Sequence, residues 1–211
     1  MLTRPLSKEA LKSLIRKKVV DYWEIELRHE ASNLKSLSFF KPQYMSLCKP
    51  HPVWSTAGNC PRKVSKATIQ ALMISGRYRT DDLVSRWSSK VTGYCTLSSQ
   101  CSGNLQREDI RHILQHCVAL SDTRDMMLHF THLSLSQYIP DVQHILQEFC
   151  DPSCDQFCDF LLDCSSIPAV ITASQNNGPY ILQSLFDVTR NWVYALHRQR
   201  LKLRGQWKAG E

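Results

Sequence analysis

The spacing of apolar residues predicts a chain built mainly from α-helices. Apolar positions recur every three or four residues over 7–28, behind Ser7 as an N-cap, and again over 61–76. A short helix is expected to begin near Thr80, and the longest helix to run over 180–203. We find no sustained alternation of apolar and polar residues, the pattern of a half-buried strand. The predicted fold class is therefore mainly α, a helical bundle-like domain.

Prolines interrupt this pattern after the first helix. Residues 34–61 contain four prolines and Gly58 without a sustained period, which favours a linker or an irregular loop. We therefore predict three parts: an N-terminal amphipathic helix with its linker (1–50), a central helical module (51–135) and a C-terminal helical region (136–211).

The composition is that of a chain able to form a hydrophobic core. The sequence has 211 residues, of which 43% are hydrophobic. In residues 1–18, charged residues alternate with single apolar residues. This pattern is typical neither of a signal peptide nor of a membrane span. We therefore expect an intracellular protein with no membrane partner, the nucleus being one candidate compartment.

The charge balance bears on partners. The net charge is +7 and the sequence pI is near 9.0, with basic residues gathered towards both ends of the chain. Basic clusters attract phosphate backbones through counterion release, but they also occur as ordinary solvated helix faces. The charge therefore allows nucleic acid as a partner without requiring it.

The stretch GYCTLSSQCSGNLQREDIRHILQHC holds three cysteines and two histidines. Structural zinc sites take four thiolate or imidazole ligands, usually presented as two close pairs. Cys95 and Cys101 form one pair, and His112 forms the second with either Cys117 or His116. Close cysteine clusters in a reducing compartment bind metal more often than they form disulfides. The stretch is therefore a candidate zinc knuckle, which makes 51–135 a zinc-knuckle helical module.

Helix geometry leaves the fourth ligand open. On a straight helix His112 and Cys117 lie about 140° apart, whereas His116 follows His112 by one turn. Cys117 can join the site only if the helix ends or tightens in its last turn. A simpler alternative makes Cys117 a core residue and the two histidines surface groups.

A second group of cysteines, Cys150, Cys154, Cys158 and Cys164, lies in FCDPSCDQFCDFLLDCS. The first three would share one face of a continuous helix, but Pro152 is expected to break the turn between the first two. Phenylalanine and leucine side chains surround the group. We interpret these cysteines as buried thiols that act as small hydrophobic residues rather than as a second zinc site.

A run of motifs resembles a known family. ISGRYRTDDLVSRWSS is followed by a Cys-x5-Cys, by REDIRHILQHC with its His-x4-Cys, and by ALSDTRDMML. This order resembles the zinc-binding segment downstream of the polymerase in non-LTR retrotransposon reverse transcriptases. The resemblance implies Zn²⁺ as the cofactor and places its ligands at Cys95, Cys101, His112 and Cys117, not His116. The gap of five residues departs from the Cys-x2-Cys common in such knuckles.

The same resemblance implies a piece without catalysis. The sequence lacks a Tyr-x-Asp-Asp type turn with a third carboxylate, which two-metal polymerase chemistry needs. Asp81 and Asp82 stand at an expected helix start, where acidic groups interact favourably with the helix dipole, and we interpret them as structural.

We therefore predict a zinc-stabilised module that binds single-stranded or structured RNA or DNA, with no enzymatic activity and no small-molecule substrate. Groups that can meet phosphates or stack on bases are expected at Arg77, Tyr78, Arg79, Arg86 and Trp87. For the two aromatic residues, packing between helices is the alternative. The competing hypothesis is a helical protein-interaction scaffold in which zinc is purely structural or absent.

Overall fold

A computed structural model describes the chain over residues 7–34, 37–41, 49–136 and 143–205. Within these ranges the protein is mainly helical, as predicted, and the β-type pairing they contain is a single isolated bridge between Tyr94 and Arg107. The predicted linker over 34–61 lies partly outside the described residues.

The N-terminal helix α1 (Lys8–Asn33) begins where the sequence predicts. The Ser7 hydroxyl accepts a hydrogen bond from the Ala10 amide at 3.2 Å, which caps the first turn. The helix extends past the predicted end, and none of its residues is buried. Large apolar side chains, among them Ile15, Val19 and Trp23, therefore stay at the surface along α1.

The central module begins with four helices: α2 (Pro52–Ser55), α3 (Pro61–Ile74), α4 (Asp81–Ser85) and α5 (Ser99–Gly103). A π turn (His112–His116) and a 3₁₀ turn (Val118–Leu120) then lead into α6 (Ser121–Ser136). Helix α3 matches its predicted range. Helix α4 is capped by Thr80, whose side chain accepts from the Leu83 amide at 3.1 Å.

The C-terminal region contains α7 (Gln143–Phe149), α8 (Phe157–Asp163), a 3₁₀ turn (Cys164–Ser166), α9 (Pro168–Asn177) and α10 (Tyr180–Leu203). The bounds of α10 coincide with the prediction, but α10 is not the longest helix, because α1 has 26 residues against its 24. The sequence analysis did not recognise α2 or α9, although each starts with a proline in its first turn, a common helix-start signal.

Helix α10 is the centre of the core and packs against α3, α6, α8 and α9. Its Trp192 is fully buried and meets Phe157 edge to face, with ring centroids 5.6 Å apart. The buried Gln70 of α3 donates to the carbonyls of Leu161 and Leu162 at 2.8 and 3.0 Å. These contacts join the central module and the C-terminal region around one hydrophobic core.

The second cysteine group lies in this core. The chain leaves the helical conformation between α7 and α8, around Pro152, as predicted. Cys150, Cys158 and Cys164 are buried, and Cys154 is half-buried. Burial raises the pKa of the Cys150 and Cys158 thiols to about 12, so both stay protonated at neutral pH.

Among the described residues, no single helix is both long enough and apolar enough to cross a membrane. The pair Phe157–Ser166 and Pro168–Asn177 passes that test only when its two parts are taken together across a 42° bend. Helices α8 and α9, which lie in this pair, both pack against α10 in the core.

Candidate metal centre

Four side chains that the sequence singles out as ligands meet in the protein interior. Cys95, Cys101, His112 and Cys117 are all buried, and one ligand atom of each lies within 4.8 Å of the others. In the part of the chain that the structure describes, this is the one group of Cys, His, Asp or Glu side chains with such an arrangement. The group could hold a metal ion.

The first pair of ligands lies on a tight loop closed by backbone hydrogen bonds. The Cys95 amide donates to the Gln106 carbonyl at 2.7 Å, and the Glu108 amide donates to the Gly93 carbonyl at 3.0 Å. Cys101 lies in the first turn of α5, where its amide donates to the Ser98 hydroxyl at 3.1 Å. The residues between the two cysteines thus form a helix start, which a gap of five allows.

Gly93 is required where the loop begins. Its φ of +83° lies in the left-handed region, and a Cβ built there would come within 2.7 Å of the Ser85 hydroxyl oxygen. A side chain at this position would be strained and would also push against α4. Gly93 therefore lets the backbone that carries Cys95 approach α4 closely.

The second pair depends on a π turn. The Cys117 amide donates to the His112 carbonyl at 2.7 Å, a hydrogen bond that spans five residues instead of the four of an α-helix. This wider turn carries Cys117 around to the side of His112, and the chain then leaves the helix at Cys117. The sequence required the helix either to end or to tighten there: it does end at Cys117, but its last turn widens into a π turn and does not tighten. His116 is exposed and stays outside the group.

The cluster has the size of a tetrahedral metal site. The Cys95 and Cys117 sulfur atoms are 3.8 Å apart, which excludes a disulfide, since that bond is about 2.05 Å long. With zinc–sulfur bonds of about 2.3 Å, two thiolates of a tetrahedron lie roughly 3.8 Å apart. Both ring nitrogens of His112 are buried and have no hydrogen-bond partner among the residues that the structure describes. A ligated metal would satisfy one of them.

Burial also sets the protonation states of the cluster. It raises the pKa of Cys117 to about 12 and raises that of Cys95, so these thiols ionise only beside a positive charge. For Cys101 burial is outweighed by hydrogen bonds from Ser98 and from the Val118 amide, and its pKa is lowered. Burial lowers the pKa of His112, which keeps the ring in the neutral form that ligates metals.

A buried cation lies beside the thiols. The Arg124 side chain is 6% exposed, and its Nη2 donates to the Cys117 carbonyl at 2.6 Å. Its other terminal nitrogen, Nη1, is buried and has no partner among the described residues. Burial lowers the pKa of Arg124, and negative charge on Cys117, Asp125 and Cys101 acts in the opposite direction. Arg124 can therefore offset the net negative charge of three thiolates around one divalent ion.

The five residues predicted to contact nucleic acid differ in exposure. Arg77 and Arg79 are exposed, and Trp87 is 69% exposed. Arg86 donates to the Asp82 carboxylate at 2.8 Å with more than half of its side chain in solvent. Tyr78 is buried, and its hydroxyl lies 2.8 Å from His197 Nδ1. A base cannot stack on Tyr78 without displacing α10, so packing is the role that its position supports.

Asp81 and Asp82 have arginine partners, in line with a structural role. Arg204 donates to Asp81 at 2.9 Å, and Arg107 donates to Asp82 at 2.6 Å. The sequence analysis missed the acidic residue at the centre of this network. Glu108 is fully buried and accepts from Arg200 Nε at 2.5 Å and from Arg204. No local pattern marks this pair, because 92 residues separate Glu108 from Arg200.

Above this network lies a cavity of about 600 Å³ between α3, α4 and α10. Arg77 and Arg79 line it together with Arg200 and Arg204, whose charges are matched by Glu108 and Asp81. Among the described residues, Arg77 and Arg79 have no carboxylate partner, so they supply the unmatched positive charge of the cavity.

Comparisons of the chain with protein-family models, with curated proteins and with solved structures found no match.

Proposed function

We propose that the protein is a noncatalytic helical module that is stabilised by one zinc ion and binds single-stranded or structured RNA or DNA. The observation that supports it best is the buried His112 ring, which has no hydrogen-bond partner in the described part of the chain and lies among three thiols spaced as ligands of one ion. The order of the Cys and His motifs supports descent from the zinc-binding segment of a non-LTR retrotransposon reverse transcriptase.

Zinc is the metal that this ligand set favours. Three thiolates and one imidazole are soft and borderline ligands, and four of them complete a tetrahedron. A site with four protein ligands leaves no position for a reacting water, which is the arrangement of structural zinc. Bound zinc would join the Cys95 loop, α5 and the turn before α6, so its binding free energy would also stabilise the fold.

The surface beside the centre supports an anionic partner. Arg77 and Arg79 are exposed at the cavity. Nearby, Arg86 and Arg107 both pair with Asp82, and one carboxylate balances only one of their two positive charges. Trp87 follows Arg86 directly and presents most of its surface to solvent. Guanidinium groups beside an exposed ring suit phosphates next to unpaired bases.

A salt titration with a matched variant tests the proposal. Fluorescence anisotropy with a labelled single-stranded RNA and the equivalent DNA should give affinities that fall as salt rises. Because each phosphate contact to a single strand contributes about 0.7 to the logarithmic salt slope, R77A/R79A should reduce that slope by roughly 1.4. The control R62A removes an exposed arginine at the start of α3 and should leave the slope unchanged.

Two results would contradict the proposal. A zinc-loaded protein that binds neither nucleic acid at 150 mM salt would favour the protein-interaction scaffold instead. Equal losses for R77A/R79A and R62A would mean that the net charge of the chain, and not this surface, attracts the nucleic acid.

A further inference from the structure

The exposed face of α1 carries a charge pattern that is its own complement. Seven residues spaced by three or four positions form one stripe along the helix, which we call the α1 stripe: Lys8, Lys12, Ile15, Val19, Trp23, Glu26 and Glu30. The two ends of the stripe have opposite charge, lysine first and glutamate last. Its centre is apolar.

Most of the α1 stripe is exposed, and Glu26 is its half-buried member. Val20, Glu24 and Leu27, which lie to one side of the stripe, are also half-buried, and Glu24 pairs there with Arg28 at 3.5 Å. Ile15, Val19 and Trp23 remain 52%, 50% and 52% exposed, and Leu11 and Tyr22 extend the apolar surface beside them. Contiguous apolar surface of this kind marks an interaction site.

The order of the charges selects the occupant. Two copies of a helix related by a two-fold axis at Val19 place residue 19−n of one copy opposite residue 19+n of the other. Antiparallel packing in this register sets Lys8 opposite Glu30 and Lys12 opposite Glu26. It also sets Ile15 opposite Trp23, and Val19 against itself on the axis. Parallel packing would instead oppose like charges at both ends.

We propose that the chain forms a two-fold dimer through antiparallel packing of the α1 stripe against the same stripe of a second copy. Each interface would contain a continuous apolar centre with two lysine–glutamate pairs at each end. Two packed helices bury much less area than a standard interface of about 1,600 Å², so we expect the dimer to dissociate on dilution.

Charge reversal in two separate chains tests the pairing. In sedimentation velocity the wild type should shift from monomer to dimer as concentration rises. K8E/K12E and E26K/E30K should each weaken self-association by about tenfold or more, because like charges then face each other. A mixture of the two variants should dimerise again, and so should the chain that carries all four changes. The control K17E/R62E alters as much charge off the stripe and should behave as wild type.

Zero-length carbodiimide crosslinking identifies the register. The expected product joins Lys12 of one copy to Glu26 of another, which a mixture of isotopically light and heavy chains reveals by mass spectrometry. Within one helix these residues lie about 21 Å apart, too far for a bond without a spacer. V19E places two carboxylates on the axis and should remove both the dimer and the crosslink.

Three results would overturn this dimer. The first is a wild type that stays monomeric at high concentration. Binding of that monomer to vesicles of anionic lipid through α1 would count equally against the dimer. The second is a dimer that survives V19E and K8E/K12E. The third is a quadruple variant, K8E/K12E/E26K/E30K, that fails to dimerise although its zinc content and helicity match those of the wild type. None of these measurements depends on nucleic-acid binding.

Discussion

The amide of Cys117 donates to the carbonyl of His112 at 2.7 Å, five residues earlier in the chain. A regular α-helix would turn Cys117 away from His112, and the π turn brings the two side chains into one cluster with Cys95 and Cys101. The conformation of one turn thus decides which of two neighbouring residues, His116 or Cys117, faces the metal centre.

Exchange of the fourth ligand should separate these neighbours. C117S is expected to lose most of its metal and to loosen the segment from 107 to 116, because a buried hydroxyl replaces a thiolate ligand. H116A should retain the metal of the wild type, since His116 is exposed. Metal content by mass spectrometry and hydrogen exchange of the segment give the comparison. A loss of metal in H116A alone would mean that the turn is a regular helix.

Substitution of Gly93 should weaken the loop that carries Cys95. G93A must adopt a positive φ and push the Ser85 side chain aside, which we expect to cost about 1–2 kcal/mol of stability and to lower metal affinity. G103A is the matched control, because a Cβ there meets nothing within 4 Å. Chelator competition measures the affinity of each variant. Equal affinities for G93A and wild type would contradict the role assigned to Gly93.

Removal of the charge of Glu108 should be costly. E108Q leaves Arg200 without its buried carboxylate partner, and breaking such a pair typically costs about 3–5 kcal/mol. D159N breaks the half-exposed pair with Lys41 and should cost less than about 1 kcal/mol. Urea unfolding of both variants with metal bound gives the difference. Similar losses of stability for the two variants would show that Glu108 does not hold α10 against the central module.

His197 should make stability depend on pH. Burial, and then the charge of Arg200, lower the pKa of His197 to about 4, so its ring is neutral in the folded protein. The unfolded chain binds a proton below about pH 6.5, and stability is therefore lost as pH falls from 6.5 to 4. H197Q should show less of this loss than wild type, whereas H129Q, at an exposed site, should follow wild type. Urea unfolding at pH 7.5, 6.5 and 5.5 measures the stability of each protein. Metal release is common to all three proteins and therefore cancels when each variant is compared with wild type.

Trp87 should contribute to nucleic-acid affinity by stacking. W87A removes a ring that is 69% exposed, and loss of one stacked base typically costs about 1–3 kcal/mol. W87F should keep part of that affinity, and neither variant should change the salt slope, because no charge is removed. A stability loss in W87A without any change in affinity would instead indicate packing.

Local patterns in the sequence predict much of this fold. The apolar period gives α10 its full range, and the Pro and Gly signals bound α3. The spacing of Cys and His residues predicts Cys95, Cys101 and His112 as ligands, with either Cys117 or His116 as the fourth. The family resemblance favours Cys117. Geometry based on 100° per residue cannot make that choice, because a π turn depends on how the segment packs and on what its side chains bind.

Long-range contacts account for what the sequence does not reveal. In the sequence Glu108 is one charge in a stretch of mixed acidic and basic residues. Its burial depends on Arg200, on α10, and on Arg204, directly after the end of α10. Tyr78 and Trp87 are both aromatic residues beside arginines in the sequence, but Tyr78 is buried and bonded to His197 of α10, whereas Trp87 is exposed. The burial of Glu108 and of Tyr78 depends on which helices pack together, and the local spacing of apolar residues does not predict that packing.

The most direct test of the metal centre is the cobalt spectrum of protein purified without added zinc and reloaded with one equivalent of Co²⁺. We expect one metal ion per chain and a sulfur-to-cobalt charge-transfer band of the intensity given by three thiolates, which falls in C117S and is unchanged in C150S. A wild type that binds no metal, a second equivalent lost in C150S, or a two-thiolate band unaffected by C117S would contradict the site at Cys95, Cys101, His112 and Cys117.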